Sequence, residues 1–317
     1  MHAVRGGARA AGTLAVLAVA FVVTSLAAAG ISQRPECYGE RVTIAGTEGP
    51  DNIVGTRRDD VIAGFGGADT IEGAAGDDIV CAGGGDDTIS GGPGDDSISG
   101  DGGNDSVDGG SGNADEAFYV DSPGRIRANL PDGTVAGWGT DRLTAIEDVT
   151  GSARADRLIG DDAENLLDGR EGADVIRGGA DGDLLDGDAG NDVLDGGPGF
   201  DVALFDFAPQ TITADLGRRR AVGWGRDRLL SIEDLDGSRY GDVLMGNAAA
   251  NVISGGGGND LLVGAAGNDK LEGEAGADTL EGGPGRDELN GGRGRDTLDG
   301  GPGNDVCKRG ERLAGCP

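Results

Sequence analysis

Nine-residue units fill residues 46–108, which read GTEGPDNIV GTRRDDVIA GFGGADTIE GAAGDDIVC AGGGDDTIS GGPGDDSIS GDGGNDSVD. The sixth position of each unit is Asp, and the eighth is Ile or Val. The register returns at Gly151 for six units and at Gly237 for eight, which makes 21 units in the chain. This period decides the fold, because 66 Gly and 10 Pro in 317 residues would otherwise indicate a disordered low-complexity chain.

The residue types within a unit predict its local structure. Glycines at positions one, two and four permit positive φ and hence a tight turn of about six residues, followed by a three-residue strand. The aliphatic eighth position is the middle of that strand and points inward. Two units then complete one coil of 18 residues, and stacked coils pair their strands in parallel, about 4.8 Å apart. The sequence predicts an all-β fold, a parallel β-roll in two or three runs joined by wider coils that contain strands.

The stacking also predicts a cation between coils. It places Asp78 over Asp96 and Asp278 over Asp296, where bare carboxylates would repel each other. Ca²⁺ accepts six to eight oxygens in flexible geometry, including the backbone carbonyls that glycine turns expose, whereas Mg²⁺ demands a tighter octahedron. We therefore expect several calcium ions to be bound.

These units resemble the haemolysin-type, or repeats-in-toxin, calcium-binding repeat GGxGxDxUx, where U is a large aliphatic residue. The resemblance covers most of the chain and implies a parallel β-roll with Ca²⁺ between successive turns. Six units depart from this pattern because they lack the fourth glycine. They begin at Gly55, Gly151, Gly160, Gly178, Gly237 and Gly246. In two of them Asn165 and Asn251 replace Asp. The resemblance implies these metal ligands: Asp51, Asp60, Asp69, Asp78, Asp87, Asp96, Asp105, Asp174, Asp183, Asp192, Asp201, Asp260, Asp269, Asp278, Asp287, Asp296 and Asp305.

The N-terminus has the pattern of a secretory signal. Arg5 and Arg9 precede an apolar stretch, residues 10–29. Ala27 and Ala29 fit a small-x-small cleavage site. We predict a signal peptide over residues 1–29 and an extracellular protein with no membrane span after cleavage. The alternative is an uncleaved anchor helix, because the apolar stretch is near the length that spans a bilayer. An N-terminal signal on such repeats resembles secreted proteins of high-GC Gram-positive bacteria.

Four cysteines flank the repeats. An even count in an exported chain favours disulfides, and four Cys allow three connectivities. Proximity in sequence favours Cys37–Cys81 and Cys307–Cys316, one in or near each predicted cap, residues 30–45 and 309–317. Zinc is the alternative, but the spacings contain no CxxC pair and no histidine lies nearby.

Two interruptions separate the runs 46–108, 151–204 and 237–308. These bridging segments, residues 109–150 and 205–236, resemble each other, and Trp138 and Trp224 lie 86 residues apart in them. Alternation at Ile126, Ala128 and Leu130 predicts a strand with one buried face. We interpret each interruption as a wider coil that joins two runs. The alternative is a ligand surface around the two Trp, for example for sugar.

Composition narrows the function. The net charge of −31 disfavours nucleic acid as a partner. The one histidine is His2, so triad catalysis and His-ligated zinc are excluded after signal cleavage, and we expect no enzyme. A carboxylate-pair glycosidase is the alternative, with Glu147, Asp148, Glu233 and Asp234 as candidates. We expect a secreted monomer that folds on calcium and has a structural or surface-interaction role. The alternative is an adhesin or polysaccharide-binding protein, with cell-surface or extracellular polysaccharide as partner.

Overall fold

Two parallel β-sheets face each other across a thin core. The structure, a computed structural model, describes residues 36–316, so the predicted signal peptide lies outside the described residues. None of the described residues is helical, so this part of the chain contains no helix that could cross a membrane. The parallel β-roll predicted from the nine-residue period is confirmed.

Sheet I consists of 14 parallel strands in sequence order. They are Ile44–Ala45, Val61–Ala63, Ile79–Cys81, Ser97–Ser99, Glu116–Phe118, Asp148–Thr150, Leu166–Asp168, Leu184–Asp186, Val202–Leu204, Asp234–Asp236, Val252–Ser254, Lys270–Glu272, Glu288–Asn290 and Val306–Lys308.

Sheet II consists of 18 strands on the other side of the core. They are Asn52–Val54, Thr70–Glu72, Thr88–Pro93, Ser106–Ser111, Arg127–Asn129, Thr134–Ala136, Thr140–Thr144, Arg157–Ile159, Val175–Arg177, Val193–Asp195, Thr213–Asp215, Arg220–Val222, Arg226–Leu230, Val243–Met245, Leu261–Val263, Thr279–Glu281, Thr297–Asp299 and Arg312–Ala314. Three two-stranded pairs complete the described strands: Glu36–Cys37 with Glu40–Arg41, Glu171–Gly172 with Ala189–Gly190, and Ala275–Gly276 with Arg293–Gly294.

The strand register repeats every 18 residues within a run. Ile71 pairs with Ile89 in sheet II, and Val80 pairs with Ile98 in sheet I. The eighth position of each unit points into the core, where Ile62 and Val80 have no exposed surface. Each such side chain contributes about 1.5–3 kcal/mol on burial. A single apolar cluster extends from Ile53 to Leu298, so the runs share one continuous core.

The interruptions widen one sheet only. In the first, Arg127–Asn129, Thr134–Ala136 and Thr140–Thr144 form an antiparallel meander within sheet II. Sheet I runs past it directly, because Glu116 pairs with Asp148. The second interruption repeats this arrangement. The strand predicted from alternation is present, with Ile126 and Ala128 buried. Each interruption is therefore a wider coil within one solenoid.

Both ends of the solenoid carry a disulfide. Cys37, on an antiparallel hairpin, is bonded to Cys81 of sheet I with a Cα–Cα distance of 5.9 Å. Cys307 in the last sheet I strand is bonded to Cys316, also at 5.9 Å. The predicted pairing is thus confirmed. The first bond fixes the hairpin over the outer side of sheet I, where Cys37 and Val42 are buried against Ala63.

Candidate metal centre

The sixth-position aspartates form two vertical columns, one on each edge of the solenoid. In each column one carboxylate oxygen bonds the coil before it. Asp96 Oδ1 accepts the backbone N–H of Asp78 at 2.8 Å, and Asp78 Oδ1 accepts that of Asp60 at 2.8 Å. The same contact joins Asp278 to Asp296 at 3.1 Å. The predicted 18-residue stacking is therefore achieved through hydrogen bonds as well as strand pairing.

The second carboxylate oxygen, Oδ2, has no hydrogen-bond partner in 16 of these units within residues 36–316, and in each it is shielded from solvent. Leaving a buried acceptor unpaired costs about 1–3 kcal/mol, and more when the group is charged. Sixteen repetitions of such a cost indicate that another species completes the site. The residues concerned are Asp69, Asp78, Asp87, Asp96, Asp105, Asp115, Asp174, Asp183, Asp192, Asp201, Asp260, Asp269, Asp278, Asp287, Asp296 and Asp305.

Backbone carbonyls converge on the same space. A Cβ placed on Gly73, the first residue of its unit, would lie 2.6 Å from both Asp78 Oδ2 and the carbonyl oxygen of Gly91 in the next coil. Gly273 has the same surroundings, with Asp278 Oδ2 at 2.6 Å and the Gly291 carbonyl at 2.7 Å. No three Asp, Glu, Cys or His side chains of the described chain gather at one point. A metal here would depend on mixed carboxylate and carbonyl oxygens, a donor set that suits Ca²⁺.

The backbone distinguishes these 16 units. In every one of them the second-position residue has positive φ, whether it is glycine or not. Phe65 (75°), Ala74 (92°), Arg170 (63°) and Glu274 (62°) are non-glycine examples. An L-residue pays for the left-handed region with about 1–2 kcal/mol, so the turn geometry is imposed by the coil and not by glycine content.

Six other units satisfy their sixth-position side chain internally. Ser152 donates both its backbone N–H (2.6 Å) and its hydroxyl (2.9 Å) to Asp156 Oδ2. Thr47 does the same for Asp51, Thr56 for Asp60 and Ser238 for Asp242. None of these second-position residues has positive φ. The turned peptide brings an N–H donor to the place that stays open in the other 16.

Asparagine completes the set of six. Asn165 Oδ1 accepts the N–H of Asp161 at 2.8 Å, while its amide donates to the Glu147 carbonyl at 2.7 Å. Asn251 repeats this pattern with Asn247 and Glu233. The six units are the first two of each run and thus form the first full coil of each. We call them the self-bonded coils.

The sequence-predicted ligands divide along this line. Fifteen of the 17 have the open Oδ2, whereas Asp51 and Asp60 belong to a self-bonded coil. Asp115 has an open Oδ2 but was not predicted, because one extra residue in GGSGNADEA shifts it out of the nine-residue count. Its Oδ1 accepts the N–H of Asp96, 19 residues earlier.

The interruptions continue the columns with altered units. Asp141 Oδ1 accepts the N–H of Asp105, and Asp227 Oδ1 that of Asp192, both at 3.1 Å. Asp141 and Asp227 therefore take the sixth position of a unit within the segments GWGTDRL and GWGRDRL, and the first position of that unit is not glycine. Glu147 Oε2 accepts the N–H of Asp115, and Glu233 Oε2 that of Asp201. Trp138 packs over Gly102 of the preceding coil, where a Cβ would lie 3.0 Å from its indole nitrogen.

Burial raises the pKa of many of the open aspartates. Desolvation raises the pKa of Asp174 to about 8, and that of Asp105, Asp183, Asp192 and Asp260 to about 7. The hydrogen bond from the preceding coil opposes this shift, and neighbouring carboxylates in the column add to it. Without a cation these five carboxyl groups therefore hold protons near neutral pH.

The fold and the columns of carboxylate and carbonyl oxygens are those of a β-roll suited to bind calcium between its coils. The model of the RTX calcium-binding nonapeptide repeat family matches residues 45–80, 82–114, 150–185, 168–203, 236–271 and 272–307, more than half of the chain. The chain belongs to this family of calcium-binding repeat proteins. No curated protein matches the chain at a significant level.

Proposed function

We propose that this protein is a secreted, non-enzymatic calcium-binding protein whose solenoid folds with calcium. The observation that carries this proposal is the set of 16 buried Oδ2 atoms without a partner, several of which, such as that of Asp78, lie beside a backbone carbonyl of the next coil. When bound, calcium supplies positive charge between coils. The chain's own part is to hold one oxygen of each carboxylate by a backbone N–H and to aim the other at the ion.

The number of ions follows from the same division of units. We infer that the open units bind calcium, in groups of six, four and six, and that the self-bonded coils bind none. Asp115, in the first interruption, completes the first group. In these coils a hydroxyl and an N–H, or an amide, supply the contacts that calcium supplies elsewhere. Each run then begins with a coil that needs no metal.

The proposed location and role rest on sequence and disulfides together. The apolar segment after Arg5 and Arg9 has the pattern of a secretory signal, and two disulfides favour an oxidising compartment. The four carboxylates considered for glycoside hydrolysis each accept a backbone N–H, as Asp148 does from Leu166 at 2.8 Å. This supports a structural role for them. We propose a monomer with a structural or surface-interaction role.

Calorimetric titration with calcium tests this proposal directly. Purified protein, stripped with EGTA and dialysed, is expected to bind close to 16 ions per chain and to gain β-structure by circular dichroism in the same concentration range. Magnesium at equal concentration is expected to produce neither effect. Binding of only one or two ions, or a full β-signal in EGTA that calcium does not alter, would overturn it.

A further inference from the structure

Arginines collect on the outer side of sheet II, between and within the two interruptions. Arg127 and Arg142 lie in the first interruption, Arg157 lies just after it, and Arg220, Arg226 and Arg228 lie in the second. All six side chains are exposed, because their neighbours Ala128, Leu143 and Leu229 fill the inner side. We call this surface the arginine face.

The arginines stand in direct register with one another. Arg127 pairs with Arg157 across parallel strands, and Arg220 pairs with Arg228 across antiparallel strands. Like charges directly opposite on adjacent strands destabilise a sheet. Within residues 36–316 none of the six takes part in an ion pair, although acidic residues outnumber basic ones by 57 to 26. The chain therefore maintains a repulsive arrangement that its own acids could have relieved.

Most acids at the same level lie on the opposite side of the molecule. The sheet I strands from Glu116–Phe118 to Val252–Ser254 carry Glu116, Asp148, Asp168, Asp186, Asp234 and Asp236, with no Lys or Arg. On sheet II, Asp215 is bonded to Arg218 at 2.7 Å and is not available to the arginine face. The half-buried Asp195 also lies on sheet II, where its strand partner is the exposed Arg177. Basic residues thus outnumber acidic ones on this part of sheet II, and the cationic side remains open to an external anion.

Two strands lie between the two arginine pairs, and each carries a valine at the arginine register, with Arg177 and Asp195 at the other ends of these strands. Arg157 pairs with Val175, Val175 with Val193, and Val193 with Arg228. Three strand steps of about 4.8 Å separate the pairs by about 14 Å. The two valines are half-buried, and so is Ile159 beside them. A small anion would contact one pair only, whereas an extended anionic chain would reach both and lie over the valines.

We propose that the arginine face binds an acidic polysaccharide, a chain of sugar carboxylates. The guanidinium group forms paired hydrogen bonds with a carboxylate, and the aliphatic strip fits the apolar faces of sugar rings. A broad polyanion such as duplex nucleic acid is disfavoured, because the protein as a whole carries a net charge of −31. This site is separate from the calcium columns, which lie at the edges of the sheets and not on their outer sides.

Binding to polygalacturonate fragments tests the proposal. The protein is held in calcium, immobilised, and exposed to the fragments, to uncharged dextran and to polyphosphate. Two charge-removing pairs, Arg127→Gln with Arg157→Gln and Arg220→Gln with Arg228→Gln, probe the two arginine groups. The matched control is Arg57→Gln with Arg58→Gln, which removes the same charge from an exposed turn of the first run. Circular dichroism in calcium checks that each variant is folded.

We expect saturable binding of polygalacturonate, no binding of dextran, and at least about tenfold weaker binding for either arginine-face variant, with the control unchanged. Equal binding by all variants would mean that calcium bridges the fragments to acidic surface, and it would overturn the proposal. Absence of binding, or stronger binding of polyphosphate than of polygalacturonate, would also overturn it. So would a change in sedimentation coefficient that shows the arginine face to join two copies of the chain.

Discussion

Replacing Asp278 by Asn removes the charge of one open carboxylate while keeping its shape. Asp278 Oδ1 accepts the N–H of Asp260 at 2.9 Å, and an amide oxygen can preserve this bond. Its Oδ2 lies beside the Gly291 carbonyl with no donor in reach among the described residues. The substitution is therefore expected to weaken one calcium site without disturbing the strand register.

The loss of stability should depend on calcium. A site of extracellular grade binds with a Kd of about 10⁻⁴–10⁻³ M, so at 10 mM calcium it adds at most about 1.4–2.7 kcal/mol to the free energy of unfolding. Above saturation this contribution grows by about 1.4 kcal/mol for each tenfold rise in calcium. The difference between wild type and Asp278→Asn should widen accordingly when urea unfolding is measured at 1, 3 and 10 mM calcium.

Asp242→Asn is the matched control in a self-bonded coil. Asp242 Oδ2 accepts the N–H and hydroxyl of Ser238 at 2.6 and 2.9 Å, and an amide NH₂ would face that N–H as a second donor. This variant should lose about 1–3 kcal/mol at every calcium concentration and keep the wild-type number of ions. If both variants lose a constant amount that calcium does not alter, the distinction between open units and self-bonded coils is refuted.

Further expectations concern the self-bonded coils, pH and the disulfides. Thr47→Gly makes the first unit GGEGPD, removes the hydroxyl donor to Asp51 Oδ2 and permits the positive φ that would turn the N–H of residue 47 away from it, so calorimetry should show one additional calcium ion. Burial raises the pKa of Asp174 to about 8 and of Asp105 to about 7, above the ordinary value of 3.8. Protonation of these groups therefore stabilises the metal-free fold. This stabilisation is complete below about pH 4 and is lost as the pH rises through 7 to 8. Metal-free protein should thus gain β-signal by circular dichroism between pH 8 and pH 5, and calcium affinity should fall over the same interval; no change in either would contradict this. Cys37→Ser with Cys81→Ser removes a disulfide that joins residues 44 positions apart, and it should lower the free energy of unfolding in the presence of calcium by about 4 kcal/mol. Removing the Cys307–Cys316 disulfide, with a separation of 9, should lower it by about 2.6 kcal/mol. Urea midpoints that fall in the opposite order would contradict the loop-length argument.

Much of this fold could be predicted from residue spacing alone. The constant phase of glycine, Asp and aliphatic residue predicts the coil length, the inward side chain and the stacking of Asp78 on Asp96, because a solenoid repeats one local geometry. The disulfides followed from proximity in sequence. The path of the interruptions did not, since a meander within sheet II and a direct step in sheet I both suit the alternation at Ile126 and Ala128.

The candidate site was harder to predict where the period is disturbed. Asp115 was missed because of a single inserted residue, and Asp141 because its unit begins with Ala136 and not glycine. Counting back from the buried Leu143 would have found it, as the spacing G-x-D-x-L is intact. The second-position hydroxyls of Thr47 and Ser152 were present in the sequence. Their role depends on a peptide orientation that composition does not reveal.

The position of the self-bonded coils follows from how the columns are interrupted. Asp105 donates its N–H to Asp141, but after the meander the N–H that reaches Asp156 Oδ1 comes from Ile126, which carries no carboxylate. A calcium ion at that level would lack the acidic coil that precedes it elsewhere. Ser152 supplies the missing contacts to Asp156 Oδ2, and Ser238 does so after the second interruption. At Asp156 and Asp242, metal-free bonding thus occurs where the solenoid cannot offer calcium a carboxylate from both neighbouring coils. In the other column the preceding coil carries Glu147 or Glu233, and there Asn165 and Asn251 donate an amide to its carbonyl.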